Sequence, residues 1–172
     1  MHLAAQHDLG GVPAPVGRAR LVAAVTARVL DGQAIAVHGP RGMGRSTFLD
    51  LVAAGLPQVV AVRLQRPGVA GHGATLIAQA FEDDVLDELP ASMRTVLLDA
   101  EARADAPGSR LADALTELLT ARASRAPFVL VVDDAQHLDE SSLTALRVAA
   151  GRSLGPGAVG MLLGVGRASR SG

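Results

Sequence analysis

The chain has 172 residues, 49% of them hydrophobic and 19% charged, with a net charge of −1; this excludes disorder as the main state and suits one domain. Cysteine, Trp and Tyr are absent, which excludes disulfides, a thiolate metal site and a cysteine nucleophile, and leaves nucleic-acid binding without support. The longest apolar run, Ala158–Gly166, is about half a bilayer span, and residues 1–16 lack a secretory pattern, so no membrane association and a cytoplasmic location are expected.

Residues 1–15 carry Gly10, Gly11, Pro13 and Pro15 and read as an irregular lead-in. From Arg18 to Leu30, Leu21, Val22, Val25 and Val29 recur at helical spacing, and Asp31-Gly32 ends that helix. Gln33–His38 reads as a strand entering a glycine-rich loop, Gly39–Gly44. A helix follows through Ala54, stopped by Gly55 and Pro57. Val59–Leu64 reads as a second strand, Ala74–Leu89 as one helix and Ser92–Ala104 as another.

Leu111, Leu115, Leu118 and Leu119 mark an amphipathic helix reaching about Ser124. Phe128–Val132 is apolar without alternation, as in a strand buried on both faces of a parallel sheet. Leu143, Leu146 and Ala150 form another helical stripe, and Ala158–Val165 the last strand. Strands alternating with helices predict an α/β, three-layer fold with a mainly parallel sheet of four to five strands. The acidic cluster Glu82, Asp83, Asp84, Asp87 and Glu88 reads as a solvated helix face, with a docking patch as the alternative.

Gly39-Pro40-Arg41-Gly42-Met43-Gly44-Arg45-Ser46 fits the spacing G-x-x-x-x-G-[basic]-[ST]. Glycines at these positions let backbone N–H groups converge on phosphate oxygens, and the following helix adds its positive end. Composition alone gives roughly 0.02 chance matches in a chain of this length. Ser46 is expected on Mg²⁺, with Thr47 beside it and residue 45 reaching the phosphates. The motif asks for Lys where this chain has Arg45. All 16 basic residues are Arg, so two readings stand: drift in a site that still works, or a site that only binds or has decayed. Arg is planar, longer and bidentate, and an imperfect hydrogen bond to a charged group costs roughly 1.5–3 kcal/mol.

Phe128–Val132 runs into Asp133-Asp134. A carboxylate at the end of a buried strand faces the crevice where ligands bind in open α/β sheets. Asp133 is expected to hold Mg²⁺ opposite Ser46, and Asp134 to polarise an attacking water. The alternative is that the pair caps the next turn. His137 reads as a packing or hydrogen-bonding residue before a base.

These segments together resemble the AAA/STAND-type P-loop ATPase domain found at the amino end of large LuxR-type transcriptional regulators, akin to origin-recognition-complex-like AAA domains. Val16-Gly17-Arg18 resembles the family's opening motif near the adenine, Gly39–Thr47 its Walker A loop, and Leu130–Asp139 with Ser141-Ser142-Leu143 its Walker B segment. Met161–Arg167 resembles the strand that ends in a sensor residue. The resemblance implies ATP and Mg²⁺ as cofactors, an NTPase core over residues 16–168 with a tail at 169–172, and a parallel sheet in the order 5-1-4-3-2. It implies nucleotide contacts at Val16, Gly17, Gly39, Pro40, Arg41, Gly42, Met43, Gly44, Arg45, Ser46 and Thr47. Arg167 is then either a γ-phosphate sensor or a solvated arginine. The same resemblance implies a fifth strand and a helical lid, which are not found among these 172 residues.

The leading expectation is therefore an Mg-ATP-binding regulatory domain with slow or impaired hydrolysis, open to self-association or a protein partner. The alternative is a non-catalytic interaction module on the same fold. A small-molecule kinase is a third possibility, without a recognisable substrate pocket.

Overall fold

The computed structural model describes residues 18–40, 42–64, 72–99, 101–102 and 108–166. Among them the order is α1 (Ala19–Leu30), β1 (Ala34–Gly39), α2 (Arg45–Ala54), β2 (Val59–Arg63), α3 (His72–Gln79), α4 (Asp83–Glu88), α5 (Ala91–Leu98), α6 (Gly108–Arg125), β3 (Phe128–Asp133), a 3₁₀ turn (Ala135–His137), α7 (Glu140–Ser153) and β4 (Val159–Gly166). The four strands are parallel and ordered β1-β4-β3-β2. This is the expected α/β architecture, and the order agrees with the family's for strands one to four.

Why the sheet sits in the middle follows from β3. All six of its residues are buried. Val129 and Val131 pack on one face with Val25 and Val29 of α1, Phe48, Leu49 and Val52 of α2, and Leu162. Phe128, Leu130 and Val132 pack on the other face with Ile77, Leu97, Leu115, Leu118 and Leu146 of the remaining helices. A period of two sends successive side chains to opposite faces, so an unbroken apolar run is what a middle layer requires. Its two faces differ in size: α1 and α2 cover one, and α3 to α7 the other.

Two helical expectations need correction. Ala74–Leu89 is not one helix: α3 ends at Gln79 and α4 starts at Asp83. Phe81 lies between them, 4% exposed, with its ring edge-on to Phe128 at 5.8 Å. The gain from burying an aromatic ring in that slot outweighs helical continuity in a stretch with no Gly or Pro to announce a break. The expected helix Ser92–Ala104 stops at Leu98 instead. Asp99 is extended, and its carboxylate accepts the backbone N–H groups of Glu101 (2.8 Å) and Ala102 (3.3 Å). A side chain that captures backbone donors competes with the helix ladder; residues 103 and 104 lie outside the described residues.

Four of the five acids in the acidic cluster are paired from within. Arg125 pairs with Asp84 and Glu88, both at 2.6 Å, and Arg94 with Asp87 at 2.7 Å. Buried Arg122 faces Glu82 at 3.5 Å and stacks over the Phe128 ring, 5.3 Å from its centroid. These pairs tie α4 to α5 and α6.

Candidate functional site

The glycine-rich loop joins β1 to α2 at the carboxyl edge of the sheet. Gly42 and Gly44 have φ of 82° and 72°, a left-handed conformation that costs a side-chain-bearing residue roughly 1–2 kcal/mol. Gly44 caps α2, and its carbonyl accepts the first helical bond, from Phe48 N–H at 2.9 Å. The first turn of α2 thus points free N–H groups and the positive end of the helix dipole at the loop. Ser46 is half-buried there, and Thr47 is exposed.

Two clefts meet at this loop. One, of about 430 Å³, is bounded by Pro40, Gly42, Gly44, Arg45, Ser46, Thr47 and Asp134. The other, of about 270 Å³, is lined by Arg18, Leu21, Val37, His38, Met43 and Phe48, and shares Gly39, Pro40, Gly44 and Arg45 with the loop. The first is polar and the second largely apolar. Leu21 and Met43 stand 55% and 60% exposed at its rim. Arg18 spans the second cleft, donating from Nη2 to the Met43 carbonyl at 3.2 Å.

Parallel pairing brings the acid pair to the same edge. Asp133 is buried and aligned with Arg63 of β2. Asp134 follows in a left-handed conformation, φ 58°, which for a residue other than glycine costs about 1–3 kcal/mol and persists where its surroundings hold it. Here the Asp134 N–H donates to Asp133 Oδ1 at 2.8 Å, and its carbonyl accepts from His137 N–H at 2.9 Å. His137 serves this turn through its backbone.

Arg45 joins the loop to the acids. Its side chain, only 8% exposed, donates from Nε to Asp133 Oδ1 at 3.4 Å, from Nη1 to the Gly39 carbonyl at 3.3 Å, and from Nη2 to Asp134 Oδ1. Gln136 donates from Nε2 to the same Asp134 oxygen at 2.9 Å and accepts the Gly166 N–H on Oε1 at 2.6 Å. Asp133 Oδ2 is buried without a hydrogen-bond partner; the Arg63 Nε is 3.8 Å away. Among the described residues, no group of three or more His, Asp or Glu is gathered as a metal cage.

Of the residues singled out in the sequence, Gly39, Pro40, Gly42, Met43, Gly44, Arg45, Ser46, Thr47 and Asp134 border the two clefts, and Asp133 lies directly behind Arg45. Val16, Gly17, Arg41 and Arg167 lie outside the described residues. Sequence reasoning missed the roles of Arg63, Gln136, Gly164 and Gly166. The two glycines matter by what they lack. A Cβ on Gly164 would lie 2.6 Å from Asp133 Oδ1 and 2.6 Å from Leu49 Cδ1, and one on Gly166 would lie 2.9 Å from Arg45 Nη1. No motif announces this, although strand alternation puts both on the α2 face once β4 is known.

A second polar cluster lies just beyond. Asp139 caps α7, accepting from Ser142 N–H at 3.0 Å, and also accepts from the Ser142 hydroxyl at 2.7 Å and Gly73 N–H of α3 at 3.2 Å. The Ser142 hydroxyl in turn accepts from Ala74 N–H at 2.9 Å. Burial tends to raise the Asp139 pKa, but the bonds from Ser141, Ser142 and Gly73 outweigh it and hold the carboxyl well below the usual range. This clamp fastens α3 to α7.

A parallel sheet in this order, a glycine loop between its first strand and the next helix, and an acid pair ending its third strand define a P-loop NTPase fold. The chain matches the family model of the AAA ATPase domain over residues 14–157 and belongs to that family, whose members are nucleotide-binding P-loop domains that usually take Mg²⁺ with the nucleotide. No curated protein matches it. Among the described residues, no helix is long and apolar enough to cross a membrane.

Proposed function

We propose that this chain binds ATP with Mg²⁺ at the Gly39–Thr47 loop and serves as the switch domain of a regulatory protein of the STAND or LuxR-regulator kind, with slow hydrolysis. The observation that carries this reading is the meeting of a polar cleft and an apolar cleft at a helix N-terminus that faces an acid pair. Triphosphate charge suits the first and an adenosine moiety the second. Residues 16–168 form the core in this reading, with Val16 and Gly17 near the base and Arg167 as a γ-phosphate sensor.

The donor set fits a hard divalent cation. Asp133 Oδ2 is a buried carboxylate oxygen with no hydrogen bond to give up, and the Ser46 hydroxyl borders the polar cleft. Asp133 and Ser46 would hold Mg²⁺, which supplies positive charge to the phosphates. Asp134 lies on the rim of the same cleft and in this reading orients water once its partners release it. Titration calorimetry with Mg-ATP tests the reading: micromolar binding supports it, and no heat from the natural chain or from Arg45→Lys defeats it.

One observation favours the second reading, an interaction module with a silent site. Each nitrogen of the Arg45 guanidinium donates to a protein acceptor, two of them carboxylates, so its charge is already paired within the protein. If the chain is such a module, Arg45→Lys recovers little or no Mg-ATP binding, and a large recovery sinks this reading. The cytoplasm is the compartment this function requires.

A further inference from the structure

We infer that Arg45, Asp134, Gln136 and Gly166 form a latch that withholds the loop's cation from phosphate, so that ligand binding must open it. The inference rests on the nucleotide reading and concerns how that site is regulated.

The latch is a continuous chain of contacts across three elements. The end of β4 gives its Gly166 N–H to Gln136, Gln136 gives Nε2 to Asp134, and Asp134 takes Arg45 Nη2. Arg45 closes the circuit on the Gly39 carbonyl and Asp133. With its side chain 8% exposed and paired with two carboxylates, the guanidinium is held on the acids at the wall of the adjoining cleft. Phosphate oxygens must compete with those carboxylates for the same cation.

The seat for this arrangement exists only because residue 166 has no side chain. A Cβ there would stand 2.9 Å from Arg45 Nη1, 2.9 Å from Gln136 Nε2 and 3.1 Å from Gln136 Cδ. All three are far parts of flexible side chains, and both side chains belong to the latch. Residue 166 has no left-handed φ, so its backbone accepts alanine. Gly166→Ala is therefore a wedge that pushes the latch open and leaves the core untouched.

The consequence has an unusual sign. Altering a residue that contacts ligand weakens binding, but loosening a latch strengthens it. A site closed about nine-tenths of the time shows an apparent affinity about tenfold below its intrinsic one. Titration calorimetry with ATP in EDTA, which leaves divalent cations out, is expected to show about tenfold tighter binding by Gly166→Ala than by the natural chain. Gln136→Leu, which removes the bridge without adding bulk at 166, is expected to move the same way. A ligand-free readout runs beside it: in ¹⁵N-arginine-labelled chain, the Arg45 Nε–H exchanges slowly in the natural protein and fast in Gly166→Ala. If the natural chain binds ATP and both variants, still folded by thermal melt, bind no tighter, the latch is overturned and the nucleotide reading stands. If no form binds ATP with or without Mg²⁺, the nucleotide reading fails and takes the latch with it.

Discussion

One face of β4 carries the same residue type at both ends for two different purposes. Gly160, Leu162, Gly164 and Gly166 alternate onto the side of α1 and α2. At the amino end, a Cβ on Gly160 would lie 2.0 Å from the Val29 carbonyl oxygen and 2.9 Å from its carbon. That neighbour is the backbone of α1 and has nowhere to go. At the carboxyl end, a Cβ on Gly166 would meet only side-chain ends. The first glycine lets a helix sit hard against the sheet. The second leaves room for the side chains of Arg45 and Gln136. Close approach is thus a structural device at one end of the strand and, in the proposed latch, a device for ligand chemistry at the other.

Breaking the rigid end has the largest expected effect. Gly160→Ala forces α1 off the sheet, an overpacking cost of about 3 kcal/mol, which lowers Tm by roughly 6–12 °C in a chain of this size. Calorimetric melting checks it; a Tm close to that of the natural chain removes the distinction between the two ends. Arg45→Ala comes next. It leaves two carboxylates without their shared cation, at a cost of about 2 kcal/mol read by urea unfolding, and under the proposed function it also abolishes ATP binding.

The Asp139 clamp sharpens the comparison, because it is polar, lies near the carboxyl edge and is rigid. Its depressed carboxyl contributes stability that is fully present above the unfolded value near 4, and that stability is lost as pH falls below it. Between about pH 5 and pH 2.5 the Tm of the natural chain is therefore expected to fall more steeply than that of Asp139→Asn, whose amide keeps the cap and loses the charge. At neutral pH, Asp139→Ala costs about 1 kcal/mol as a lost helix cap. The smallest effect belongs to Arg125→Ala. Its pairs with Asp84 and Glu88 are solvent-exposed, so melting changes by about 2 °C or less.

The sequence told most about elements whose cause is local. Phe128–Val132 announced a central strand through its unbroken apolar run, and Gly39–Ser46 announced a loop and helix start through spacing alone. It told less where the cause is distant. Nothing between Ala74 and Leu89 predicts a break, because the break depends on Phe81 finding Phe128. The posture of Arg45 was equally hidden: whether it faces phosphate or carboxylate depends on Gln136 and on two glycines near the other end of the chain. Lys-to-Arg at position 45 was visible as a departure, but the space made for the larger group was visible only in three dimensions.

The buried seat of Arg45 also has a use at the bench. No lysine occurs anywhere in the 172 residues. Arg45→Lys therefore installs the only side-chain amine in this sequence, at the junction of loop and acid pair. Acylation of that side-chain amine, followed by mass spectrometry, becomes a single-residue footprint of how accessible position 45 is in that variant, with and without nucleotide.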